Sequence, residues 1–413
     1  MLEVTVKMTL QTMKIDANTR TVQLDPRETQ FYNNPYPYYE RLRSSVPVFK
    51  WEDYGHWCFT RHEDVSALLR DRRFGRQILH VASRAELGLA EPPAHLKAFT
   101  DHEQHSLLEL EPPVHTRLRG LVNRAFLGRQ IERLRPFIVS LSNQLIDVFQ
   151  SSHEVDLLTA YATPIPVQVI CMLLGAPVDM AGPFLRWSHD HVAMYMARRD
   201  RVIEDQAVKS VLDFSAYMRG LIAEKRKSPG EDLLSELAVA NGSGQILSED
   251  ELVTTAILIL NAGHEATVHS IGNGVKAMLE RDISGPVTSA LIEEVLRFDA
   301  PLHLFTRYAL EDLEYAGVKL KKGETVGLML GAANHDPKRF EAPADFNPLR
   351  APNPHVSFGA GIHFCIGAPL ARLEMLIAFE TLFARLPKLK LAEIPRYKDA
   401  YHFHGLETLR VAF

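Results

Sequence analysis

The chain has 413 residues, 46% of them apolar, and a formal net charge of −5, a balance that permits a large core and argues against non-specific nucleic-acid binding. Three cysteines, Cys58, Cys171 and Cys365, are too few and too odd in number for a disulfide framework and suit a reducing compartment. No apolar run nears the roughly 20 residues that span a bilayer, and Lys7, Lys14, Asp16 and Arg20 break any leader-like block, so a soluble, cytoplasmic protein is expected.

Length alone suggests two or three domains. Residues 1–25 are expected to form a flexible leading segment. Pro35–Ser45 reads as a short helix after a turn. Val46–Phe49 and Trp57–Thr60 read as strands around Tyr54-Gly55, the first starting at or after Pro47, which cannot donate to a ladder. A helix follows over His62–Arg70. Residues 77–110, with Pro92 and Pro93, are expected to be an irregular flap over a pocket.

Glu111-Pro112-Pro113 opens a helical half. Breaks fall at Pro164 and Pro166, at Gly175–Pro177 and at Ser228-Pro229-Gly230. Ser248 and Glu251 form a capping box at the start of a long helix. Ile257-Leu258-Ile259-Leu260 is apolar all round, the mark of a helix threaded through a core. Gly263, in Ala262-Gly263-His264-Glu265-Ala266-Thr267, costs about 1 kcal/mol against alanine in a helix. It therefore needs a packing or ligand reason, and a local widening of the helix is expected there. After Pro301 short strands return at Arg307–Ala309, Val318–Leu320 and Thr325–Leu330, and the strands of both chain ends are expected in one lobe.

The most informative stretch is Phe358-Gly359-Ala360-Gly361-Ile362-His363-Phe364-Cys365-Ile366-Gly367, followed by Ala368-Pro369-Leu370, the start of a helix. Glycine permits unusual backbone angles and lets a flat ligand approach the main chain. A thiol just before a helix N-terminus is expected to favour its thiolate, as a nucleophile or a metal ligand. Taken alone, Cys365 also reads as an ordinary buried cysteine.

The ten-residue pattern Phe-Gly-x-Gly-x-His-x-Cys-x-Gly resembles the haem-binding loop of the cytochrome P-450 superfamily, and the resemblance extends from Pro35 to the C-terminus. It implies a mainly α fold with a small β lobe, the triangular helical prism of the family, as one catalytic domain over residues 26–413. It implies haem b with Cys365 as the axial iron ligand, and cofactor contacts from Phe358, Gly359, Gly367, Ala262 and Gly263. In the family, residues at the positions of His115, Arg119, Arg307 and His363 hold the haem propionates; guanidinium forks match carboxylates. On spacing alone, His115 and Arg119 show only that they share a helix face.

Glu294 and Arg297 resemble the family's buried Glu-x-x-Arg pair, implying a structural role, with Asn334-His335-Asp336-Pro337, Phe340, Asp345-Phe346 and Arg350 as the meander. The helix around Glu265 resembles the oxygen-binding helix, with one departure. The usual threonine directly after the acid is Ala266 here, and Thr267 comes one place later, about 100° round the helix. Glu265, Ala266 and Thr267 are the catalytic candidates, with a water or a substrate hydroxyl completing the proton path.

Within 413 residues no flavin or dinucleotide motif is recognisable. The resemblance thus implies electrons from a ferredoxin and its NAD(P)H-dependent reductase, with Arg117, Arg124 and Arg372 as candidate docking charges. The distal pocket would draw on residues 77–100 and 180–196, Ala262, Ala266, Leu302–Phe305 and Tyr401–Gly405, with His303, His402 and His404 as polar anchors. An apolar small molecule fits, whether fatty acyl, terpenoid, steroid or macrolide, to be hydroxylated or epoxidised with O2. Two readings stand beside this one: a peroxide-using or otherwise atypical oxidative enzyme, and a non-catalytic haem sensor.

Overall fold

The computed structural model describes residues 13–126, 128–195, 199–239 and 247–413. Twelve strands occur among them: β1 (Lys14–Asp16), β2 (Thr21–Gln23), β3 (Val48–Trp51), β4 (His56–Phe59), β5 (Phe74–Gly75), β6 (Glu154–Asp156), β7 (Leu304–Ala309), β8 (Leu313–Tyr315), β9 (Val318–Leu320), β10 (Thr325–Met329), β11 (Lys390–Leu391) and β12 (Arg410–Ala412). Seven join one sheet in the order β1-β2-β3-β4-β10-β7-β5. Its seam is the parallel pairing of β4 with β10, Trp57 opposite Val326, which ties the early chain to the late chain in one lobe. Pro47 precedes β3, as its missing N–H requires.

Two expectations need correction. The leading segment cannot be loose through residue 25, because β1 and β2 pair with each other and β2 pairs with β3, placing Val22 and Leu24 in the core; its first twelve residues lie outside the described residues. The 77–110 stretch is not irregular throughout. It holds a 3-10 turn, Ala94–Leu96, running into helix Lys97–Glu103. Leu96 and Phe99 pack with Met194, Ala207 and Val211 in a small cluster apart from the main core.

The helical lobe is built around the central helix Glu249–Glu280, 32 residues and so about 48 Å long. Its capping box forms as expected: Glu251 N–H donates to Ser248 Oγ at 3.2 Å, and Ser248 N–H to Glu251 Oε2 at 2.9 Å. The helix is α throughout, so the widening expected at Gly263 does not occur. Gly263 is explained by packing instead, since a Cβ there would lie 2.6 Å from Ile170 Cδ1 of helix Pro164–Leu174. The five-residue π-helix of the molecule lies elsewhere, at Leu158–Ala162.

Glu294 and Arg297, both wholly buried, form the ion pair the resemblance implies. Arg297 Nε and Nη2 donate to the two Glu294 oxygens at 2.8 Å each, and Arg350 Nε reaches the same carboxylate at 3.0 Å. Asn353 and the Asn347 N–H fill its remaining lone pairs. Arg297 in turn donates to the carbonyls of Asn334, Pro343 and Asp345, fastening helix Ser289–Phe298 to the meander.

Candidate active site

The cysteine loop is closed by its own backbone. Cys365 N–H donates to Phe358 O at 2.9 Å and Gly359 N–H to Val356 O at 2.8 Å. Gly359 and Gly361 take φ of 68° and 71°, the left-handed region in which a side chain is strained. At Gly361 a Cβ would also lie 2.5 Å from Leu69 O, so this turn admits no other residue without movement. Helix Ala368–Arg385 follows, with Pro369 in its first turn.

Cys365 keeps accessible surface, although protein atoms crowd it on most sides. That crowding raises the thiol above its ordinary value. The N–H groups of Gly367 and Ala368 and the charges of Arg119 and Arg372 pull the other way and do not prevail. The N–H groups of the helix start thus act in the expected sense, and a bound metal would complete the ionisation, because coordination deprotonates a thiol outright.

Four basic side chains were singled out, and three meet near the loop. The His115 and His363 rings lie 4.3 Å apart, and Arg119 Nη2 donates to Phe364 O at 2.5 Å. Burial and the neighbouring His363 and Arg119 push His115 down to about 4, so it is neutral at pH 7, and its buried Nε2 has no partner. Arg307, on β7, is 4% exposed, and its one hydrogen bond among the described residues runs to the adjacent Thr306 carbonyl. Burial and nearby Arg76 push it down to about 10.

A buried guanidinium without a carboxylate partner is costly, and here it fits an anionic ligand group. The residue that sequence reasoning missed is Glu111. It meets His363 Nε2 at 3.2 Å, accepts the Arg76 N–H at 2.5 Å and acts electrostatically on Arg307. No local pattern marks it, because its partners are remote in the chain.

On the central helix, Ala262 is exposed and Ala266 half-exposed, while Thr267, next to Ala266, is buried. Thr267 Oγ1 donates to Gly263 O at 3.1 Å, so its hydroxyl is spent inside the helix. Glu265 Oε2 is buried without a partner, and Oε1 stands 3.8 Å from His269 Nε2. Burial raises the Glu265 carboxyl, against the pull of Lys398. Accessible surface at Ala262, on a helix otherwise largely buried, and at Cys365, in a loop that is itself largely accessible, suits a large flat cofactor that covers both.

The polar anchors expected in the pocket fall differently. His303 is wholly buried, its Nδ1 2.7 Å from the Tyr39 hydroxyl, and His404 Nε2 lies 3.2 Å from Asp299 Oδ1. Tyr36 and Tyr397 donate to the same Asp299, so His303 and His404 belong to a structural network rather than a pocket wall. His402 is half-buried against Tyr54. Of the candidate docking charges, Arg117 pairs with Glu251 and Arg372 with Glu293, while Arg124 is exposed.

A closed cysteine loop, an unpartnered buried arginine and a central helix with an open alanine face define a haem-thiolate protein. Comparison with known proteins agrees. The family model described as Cytochrome P450 matches residues 284–393. The polyketide biosynthesis cytochrome P450 PksS of Bacillus subtilis (strain 168) is 34% identical over 404 residues, covering 94% of this chain and 98% of its own length. The epothilone C/D epoxidase of Sorangium cellulosum is 36% identical over 395 residues, 92% of this chain and 93% of its own. The crystal structure of P450BioI in complex with hexadec-9Z-enoic acid ligated acyl carrier protein superposes with a TM-score of 0.85 at 32% identity, covering 94% of this chain and all of that one.

The chain belongs to the cytochrome P450 family. It is a monooxygenase of that family, whose members bind haem b through a cysteine thiolate. Among the described residues no helix is long and apolar enough to cross a membrane.

Proposed function

We propose that this protein inserts one oxygen atom from O2 into a C–H bond or alkene of a mainly apolar molecule. A ferredoxin and its NAD(P)H-dependent reductase supply the electrons. The haem, bound through Cys365, supplies the oxygen activation. Arg307, His115, Arg119 and His363 hold its propionates, with Glu111 bracing His363. Phe358, Gly359 and Gly367 shape the loop below the ring, and Ala262 leaves room above it. Gly263 acts at one remove, by letting the central helix sit close to Ile170.

Proton handling falls to Glu265. The observation that carries this is its buried, unpartnered Oε2, one residue before Ala266, while the Thr267 hydroxyl is tied to Gly263 O. With no hydroxyl at position 266, a bound water or a substrate hydroxyl completes the path. Substrates of the fatty-acyl or polyketide class fit best, since relatives are named for polyketide biosynthesis and epothilone epoxidation. Among the described residues Arg124 is the one of the three candidate docking charges without an ion pair, so ferredoxin-driven turnover should weaken as salt rises.

The test is turnover of fatty-acyl and polyketide candidates with a surrogate ferredoxin and reductase. Oxygenated product is expected, with the red-shifted ferrous-carbonyl band of a thiolate-ligated haem lost in Cys365→Ser. Product from peroxide alone, and none from the reductase system, would favour the atypical oxidative enzyme. In Ala266→Thr, coupling of electrons to product should not rise with the native substrate; a rise would end the idea of substrate assistance.

A further inference from the structure

Helix Lys97–Glu103 ends on two adjacent side chains, His102 and Glu103, that face His191 near the end of helix Ala181–Val192. One ligand atom from each of the three lies within 4.8 Å of those of the other two. His191 Nε2 stands 3.2 Å from Glu103 Oε1, and the His102 and His191 rings are 5.6 Å apart. His102 is 9% exposed and His191 4%. None of the three belongs to the haem site described above.

An ion pair between Glu103 and His191 explains only part of this. Tyr195 donates to the other Glu103 oxygen at 2.7 Å, which would complete a simple staple. His102 adds nothing to that staple, yet it is brought in and held. Thr254 Oγ1, on the central helix, stands 3.4 Å from its Nδ1. His191 Nδ1 is buried with no partner among the described residues.

Two imidazoles and a carboxylate converging from two helices, with outer polar groups orienting two of them, is the arrangement used to hold a transition metal. Ligand atoms bound at about 2.0–2.2 Å in a tetrahedron sit about 3.4 Å from one another. Closing from 4.8 Å is within the reach of small side-chain rotations at these positions.

We propose that His102, Glu103 and His191 bind one divalent transition metal of the zinc class, pinning helix Lys97–Glu103 to helix Ala181–Val192. The ion takes three protein ligands and one water. It locks down a short helix otherwise held mainly by the small apolar cluster around Phe99. The proposal does not depend on the identity of the substrate or the redox partner.

The experiment is equilibrium dialysis of the haem-loaded protein against micromolar zinc, followed by elemental analysis. Wild type should hold one zinc per chain more than the His102→Ala/His191→Ala double variant, with the ferrous-carbonyl band intact in both. Thr254→Val keeps all three ligands and should weaken zinc binding about tenfold through the lost outer partner. Equal zinc content in wild type and double variant overturns the proposal. If the double variant does not fold, Glu103→Gln and Thr254→Val decide it, and wild-type zinc affinity in both overturns it equally.

Discussion

Two glutamates on neighbouring helices, Glu294 wholly buried and Glu265 half-buried, live under opposite rules. Glu294 has every lone pair filled, by two arginines, an asparagine and a backbone N–H. Glu265, on the central helix, has one oxygen with no partner and the other 3.8 Å from an imidazole. The buried His264 Nε2 and His269 Nδ1 beside it are also unpaired. A saturated carboxylate has one low-energy state and serves as a rivet; an unsaturated one in low dielectric is poised to change protonation or partner. Asp299, bonded by Tyr36 and Tyr397 and faced by His404 Nε2 at 3.2 Å, is of the first kind. The comparison thus separates acids that hold the fold from the acid proposed to move protons, and burial runs the same way, since Glu294 is wholly buried and Glu265 only half-buried.

The largest effect should come from breaking the rivet. Glu294→Ala strands Arg297 and Arg350 without their carboxylate, and losing one partner of a buried pair costs about 3–5 kcal/mol. Urea unfolding of the haem-loaded protein should show that loss, and a cost under about 1 kcal/mol would mean the network is slack. Next comes Arg307→Met, at the unpartnered guanidinium on β7. A charged hydrogen bond to a ligand carboxylate contributes about 1.5–3 kcal/mol. Haem transfer to a scavenging apoprotein should therefore speed up about ten- to a hundredfold. The apoprotein's stability should fall little, because the side chain has no carboxylate partner among the described residues and gives up only its bond to the adjacent Thr306 carbonyl. Unchanged haem release would remove Arg307 from the cofactor site.

What could be read in the chain follows how local each signal is. The Ser248–Glu251 box and the cysteine loop are written in consecutive residues, and both form as read. Helix Lys97–Glu103 is hard to read because only Leu96 and Phe99 mark its buried side, and the surface they pack on comes from Met194, Ala207 and Val211. His303 and His404 looked like pocket anchors because sequence shows a side chain's chemistry and not its direction. Their partners, Tyr39 and Asp299, lie in distant segments. Glu111 shows the same limit at the proposed haem site: its bond to His363 joins the opening of the helical half to the cysteine loop. Gly263 showed that something must pack closely there, and only the fold reveals Ile170 as the neighbour.

The smallest effect should also have the opposite sign. Glu265→Gln removes a charge that the folded state accommodates poorly, since burial raises this carboxyl above its ordinary 4.5. An acid with a raised folded-state value binds its proton more tightly folded than unfolded. Its ionisation therefore erodes stability as pH rises from 4.5 through the folded value, and below 4.5 both states are protonated and nothing is lost. The variant should be more stable than wild type at neutral pH, with the advantage disappearing on acidification below 4.5. Paired urea titrations at neutral and acid pH check this, alongside product yield per electron, which should drop. A variant less stable than wild type at neutral pH would mean that Glu265 is paired after all, and would place it with Glu294 among the rivets.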